Sequence, residues 1–278
     1  MKKTFLLYAF VITCVLSSCS SNCLYQIYEV KSDNLETKSN GLVYEDDNCL
    51  LFYNLWDKSG SLSFVFENKA NKDIIIDLTR SFFIKNGMVY DYYQDQSIMN
   101  RGVFELTTSR ELCSSYLNFK NKTHLWSTSL VVDSDFSISP IITKAQYFVI
   151  PAKTCKVMPG FKISNIVYKE CGNNKMNYPE EQSETINYTK SNSPLTFSNR
   201  ITYKLEGQGN NEYLQNDFWL SSLTNYTEET IFEKIEAEDC GNPYLTVKVN
   251  IKQAPNRFYN TYEGIDIIPP STESTFLK

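Results

Sequence analysis

"SLSFVFENKANKDIIIDLTRSFFIKNGMVYDYY", residues 61–93, decides the fold class. In its first third, Leu62, Phe64 and Phe66 alternate with Ser61, Ser63 and Val65, the period of two that a half-buried strand requires. A polar turn over 68–73 leads into Ile74–Lys85, a long β-branched and aromatic segment. Asn86-Gly87 then supplies the residue pair that tolerates a tight hairpin, with "MVYDYY" (88–93) as the returning strand. Just upstream, "CLLFYNLW" (49–56) reads as a further strand, turned back by Asp57-Lys58-Ser59-Gly60. Four strand-like pieces joined by short turns predict an antiparallel sheet.

The remainder continues in the same manner. Residues 96–118 hold one helix or loop insertion, with Thr108-Ser109 ahead of Glu111-Leu112 as a capping signal. "QYFVIPAKTCKVMPGFKISNIVY" (146–168) returns to strands closed by Pro151 and Pro159, which places them at sheet edges. Residues 172–194 are polar and read as an exposed loop. "LTFSNRITYKLEG", "DFWLSSLTNYTEETIF" and the cleanly alternating "YLTVKVNIK" (244–252) add more strands. The prediction is an all-β fold: an antiparallel, Ig-like or Greek-key β-sandwich over 41–268, followed by a mobile tail at 269–278. With 42% apolar residues, 19 Tyr and 17 Phe, the chain has ample material for a large core.

The amino-terminal end speaks of location. Lys2 and Lys3 precede an apolar run from Phe5 to Leu16, the order of a secretory signal peptide over 1–18. A membrane-crossing helix needs about 20 apolar residues, more than this run holds. Leu16-Ser17-Ser18-Cys19 resembles the lipobox of bacterial lipoproteins, in which an aliphatic and two small residues precede the cysteine that takes lipid. Cys14 and Cys23 follow less suitable residues, so Cys19 is the expected lipidation site, carrying palmitate-like chains whose buried methylenes contribute roughly 0.8 kcal/mol each. Residues 19–40 then read as a polar tether.

Lipobox, strand pattern of 61–93 and the later "YFVIPAKTCKVMPGFKI" together resemble a group of Bacteroidota lipoproteins with sandwich-like domains. The likeness covers about half the chain. It implies an outer-membrane lipid anchor and this fold, and it carries no functional residues across. Because Ser20, Ser21, Asn22, Cys23 and Leu24 are neutral where surface-exported members carry acidic residues, the resemblance implies a periplasm-facing position.

Charge and cysteine usage narrow the partners. Loss of Lys2 and Lys3 with the signal leaves 25 basic and 32 acidic residues, a net charge of −7, without the basic clusters of a nucleic-acid binder. Of eight cysteines, Cys23, Cys49, Cys113, Cys155, Cys171 and Cys240 remain as disulfide candidates whose pairing the sequence cannot choose. Cys49, at the head of an apolar run, reads as a small core residue; Cys171 and Cys240 each open a Cys-Gly-Asn turn. Their spacing, and a single histidine, exclude a zinc site.

Nothing in the sequence carries catalysis or implies a cofactor. His124 stands in a polar run without a nucleophile elbow, and Glu45-Asp46-Asp47, Asp133 with Asp135, and Glu180-Glu181 lack the spacing of a calcium loop. Trp56 and Trp219 lie in apolar runs and read as core, leaving Trp126 as the one tryptophan placed for ligand contact. The expected function is a non-catalytic binding module of the envelope, for a protein or a glycan. An adhesin or fimbria-associated subunit and a glycan-binding accessory protein are the alternatives.

Overall fold

The computed structural model describes residues 23–93, 106–107, 110–121, 145–168, 176–177, 182–239 and 242–263. Strands come first as β1 (Cys23–Lys31), β2 (Glu36–Thr37), β3 (Leu42–Glu45), β4 (Cys49–Tyr53), β5 (Phe64–Asn68), β6 (Ile74–Lys85), β7 (Met88–Asp91) and β8 (Leu106–Thr107). Helix α1 (Arg110–Asn121) is followed by β9 (Tyr147–Ile150), β10 (Cys155–Met158), β11 (Gly160–Phe161), β12 (Met176–Asn177), β13 (Gln182–Ser183) and β14 (Ile186–Asn187). The chain continues through β15 (Thr196–Leu205), β16 (Glu212–Thr227), the one-turn helix α2 (Glu228–Ile231), β17 (Phe232–Asp239), β18 (Asn242–Asn250) and β19 (Arg257–Glu263).

The fold is all-β, antiparallel and sandwich-like, as the sequence pattern predicts. A ten-stranded sheet runs β12-β13-β16-β15-β6-β7, with β1 against β16, β19 against β1, β14 against β16 and β9 against β6. A five-stranded sheet runs β10-β5-β4-β3-β2, and two small hairpins, β11 with β8 and β17 with β18, complete the pairing. One core joins the two large sheets: Tyr53, Phe64 and Phe66 from the small sheet meet Ile76, Phe83, Ile201 and Phe218 from the large one. Ring contacts cross between the sheets, with Tyr53 against Phe218 at 5.7 Å and Phe66 against Tyr203 at 6.1 Å between centroids.

Five local expectations change. The pieces over 49–93 do not share one sheet: β4 and β5 pair in the small sheet, while β6 and β7 pair in the large one, so the polar turn after β5 carries the chain across the sandwich. β5 is buried on both faces, because its outward Val65 lies with Val43, Leu50 and Phe52 beneath Leu112 and Tyr116 of α1. That helix is the insertion expected within 96–118, displaced toward the carboxyl side to end at Asn121. The exposed loop expected over 172–194 contributes β12, β13 and β14, short strands of which β13 and β14 dock on β16, with Ser183 buried.

The fifth change concerns the tether over 19–40. Its residues from Cys23 to Lys31 form β1, hydrogen-bonded to β16 on one side and β19 on the other. Leu24, Gln26, Tyr28 and Val30 all face inward. The polar look of the segment came from Gln26, which is fully buried and donates to Tyr168 O at 2.9 Å and to Asn225 Oδ1 at 2.8 Å. A buried amide with its partners in place keeps a strand's period while breaking its hydrophobic signature.

Other expectations hold. Asn86 and Gly87 both take positive φ, 47° and 80°, and turn β6 into β7. Among the described residues β9 and β10 each pair on one side only, with β6 and β5, as strands closed by proline should. Cys49 is fully buried in β4, and burial, followed by the charge of nearby Asp46, pushes its thiol pKa up. Cys113 and Cys155 are exposed free thiols. Cys171, Cys240, the segment 1–18 and the tail 269–278 lie outside the described residues.

Candidate functional site

The candidate site grows from a change of phase along β16. In its first half Leu214, Asn216, Phe218 and Leu220 point inward, and Tyr213, Gln215, Asp217 and Trp219 point outward. Pairing with β1 then skips Ser221, since Glu29 faces Ser222 and Val30 faces Leu220. This bulge lets Leu223 and Asn225 take over the inward role, and Ser221 Oγ donates to Glu29 O at 3.0 Å. Trp219 is the last outward residue before the bulge, opposite Lys31 on β1 and Thr196 on β15.

Where β1 ends, the chain turns beside the open side of β16. Ser32 Oγ donates to Asn34 Oδ1 at 3.0 Å, and Asn34 Nδ2 donates to Gln215 O at 2.7 Å, which ties the turn to that edge. On the other flank Val30 N donates to Asn256 O at 2.9 Å, and the Asn256 amide returns a bond to Val30 O at 3.3 Å. These contacts enclose a cleft of about 400 Å³. Val30, Leu35 and Leu42 give it an apolar floor, Trp219 a half-buried aromatic wall, and Ser32, Asp33, Thr37 and Asn256 a polar rim.

A lysine crosses the indole. Lys190 Nζ lies 5.4 Å from the centre of the Trp219 ring and 2.6 Å from Asp33 Oδ2, and the hydrogen bond to Asp33 raises its pKa. Asp217, two residues before Trp219, adds a second carboxylate near that ammonium, itself accepting from Ser198 Oγ at 2.6 Å and Gln215 Nε2 at 2.8 Å. Lys190 stands in an exposed turn held by Thr189 N donating to Asn192 Oδ1 at 2.6 Å. Its contacts with Asp33 are solvent-exposed on both sides, 57% and 64%, so the pair is readily broken.

The cleft corrects the expectation for Trp219, which is wall rather than core. Trp56 is core as predicted, 7% exposed and packed with Ile27 and Ile231. Trp126, His124, Cys19, Asp133, Asp135 and Glu180-Glu181 lie outside the described residues. Glu45 and Asp46 hold Lys69: the ammonium lies 2.8 Å from Glu45 Oε1 and donates to Asp46 O at 2.6 Å. Among the described residues no three histidine, cysteine or carboxylate side chains gather as metal ligands, and no helix is long and apolar enough to cross a membrane. No protein-family model, curated protein or solved structure matches this chain.

Proposed function

We propose that the chain is a lipid-anchored, non-catalytic binding module, held to the outer membrane through Cys19 and facing the periplasm, whose ligand docks at the Trp219 cleft. The observation that carries the binding reading is the placement of a large aromatic side chain on the outer face of a strand, above an apolar floor and inside a polar rim. That is the usual anatomy of a small-ligand site: apolar lining with a few convergent polar groups. Anchoring is supported by Leu16-Ser17-Ser18-Cys19.

The test joins both halves. Metabolic labelling with a palmitate analogue in a bacterial host should mark the wild-type chain and leave Cys19→Ser unmarked and released from the membrane fraction. An unlabelled wild-type chain recovered in the soluble fraction refutes the anchor. For the cleft, a ligand selected from envelope extract that binds Trp219→Ala as tightly as wild type refutes the site.

A further inference from the structure

We infer that the Trp219 cleft takes a carbohydrate: a neutral, hydroxyl-rich ring that stacks its C–H face on the indole and hydrogen-bonds the rim, after Lys190 has moved off the ring. The inference rests on the reading of this cleft as the ligand site and names the class of ligand that fits it.

Three observations lead there. An aromatic face carries negative charge density over the ring, which attracts the polarised C–H edge of a sugar as it attracts the Lys190 ammonium seen there. The rim offers both hydrogen-bond senses within one small opening: Asp33 accepts, while Ser32, Thr37 and Asn256 donate and accept. Ser32 and Asn256 each already donate once within the rim, to Asn34 Oδ1 and Val30 O, and keep oxygens that can accept from a ring of adjacent hydroxyls, while Asp33 accepts once Lys190 has moved away. Finally, charges around the cleft balance, Lys31 and Lys190 against Asp33 and Asp217, so neither a polyanion nor a polycation gains a net attraction.

Lys190 gives the site a removable cover. Its ammonium occupies the space over the ring that a sugar needs, and its two anchors are an exposed carboxylate and the ring itself. Removing the side chain therefore favours the sugar. Lys190→Ala should bind about two- to fivefold more tightly, the range expected for one exposed cation–π contact no longer to be broken.

The experiment uses the full-length chain purified in mild detergent with 5-fluorotryptophan at its three tryptophans, each fluorine signal assigned by single Trp→Phe substitution. Probes are neutral hexasaccharides of glucose, N-acetylglucosamine, xylose and mannose, with polygalacturonate and a lysine-rich peptide for comparison. The expected result is saturable movement of the Trp219 signal with at least one neutral hexasaccharide, no movement at Trp56, and tighter binding by Lys190→Ala. If the peptide or polygalacturonate moves Trp219 and the neutral sugars do not, the carbohydrate assignment falls while the cleft remains a ligand site. If no probe moves Trp219, or a sugar moves only Trp126, both the assignment and the site reading fall. Lys190→Ala lies in an exposed turn, so its effect can be read even if Trp219→Ala fails to fold.

Discussion

Removing one oxygen from the core, by Tyr53→Phe, should cost the fold about 2–6 kcal/mol. Tyr53 is fully buried between the sheets, where its hydroxyl donates to Asn216 Oδ1 at 2.7 Å and accepts from Asn199 Nδ2 at 2.9 Å. Asn199 Oδ1 in turn accepts from Tyr92 at 2.8 Å, so the chain of bonds runs Tyr92, Asn199, Tyr53, Asn216. Phenylalanine fits the same space but leaves one buried donor and one buried acceptor unmet, each worth about 1–3 kcal/mol. Against a whole-domain stability of about 5–15 kcal/mol this is a large fraction. Asn216 Nδ2 is already buried without a hydrogen-bond partner. The double variant Tyr53→Phe/Asn216→Leu removes that orphan together with the stranded Oδ1, and should recover about 1–2 kcal/mol of the loss. Equilibrium urea unfolding followed by far-ultraviolet circular dichroism measures both, provided the slope with denaturant stays constant. A single-variant loss below about 0.5 kcal/mol, or a double variant weaker than the single, would refute the argument.

The same buried phenols set an alkaline limit. Burial raises the pKa of Tyr53 and Tyr92 well above the ordinary 10.0. Protonation is favoured in the folded state, so this stability is fully present below pH 10.0 and is lost as pH rises through the folded values, by about 1.4 kcal/mol per pH unit for each such group. Phenolate absorbance should show a late, cooperative class of tyrosines ionising with unfolding; complete titration of all tyrosines in the folded chain near pH 10.0 would contradict this. Gly160→Ala should destabilise by about 3 kcal/mol, since its Cβ would lie 2.1 Å from the Leu62 carbonyl carbon, whereas Gly209→Ala meets nothing within 4 Å and should be neutral in the same melt. Maleimide should modify Cys113 in the native chain and reach Cys49 only on unfolding, because Cys49 is enclosed; equal labelling rates would show that β4 is open.

How far the sequence spoke depended on how each segment was covered. Residues 74–91 were legible because one face meets the core and Asn86-Gly87 allows one kind of turn. β1 was missed because Gln26 is polar yet buried, satisfied by Tyr168 and Asn225 far along the chain, and single-segment patterning has no access to such partners. The division of β4–β5 from β6–β7 was equally hidden: local turns specify that strands reverse, and core closure specifies which sheet each joins. Trp219 is different, since its signal was present. "EYLQNDFWL" alternates with Leu214, Phe218 and Leu220 on one side, which already puts Trp219 on the other; the apolar run "FWL" masked the period. The cleft around it was not legible, because Asn256 and Lys190 arrive from segments remote in the chain.

The early start of β1 bears on reach. If Cys19 carries the lipid proposed for it, four peptide steps separate the bilayer surface from the first paired residue, Cys23, at most about 14 Å even when fully stretched. A tether running to residue 40 would have let the body sweep several times that radius. From Cys23 to Lys31 the strand itself rises about 27 Å, so the Trp219 cleft opens at the end of β1 farthest from the leaflet. On the anchor proposed at Cys19, the cleft reaches at most the combined length of those two spans from its own membrane, which limits it to ligands held close to that surface.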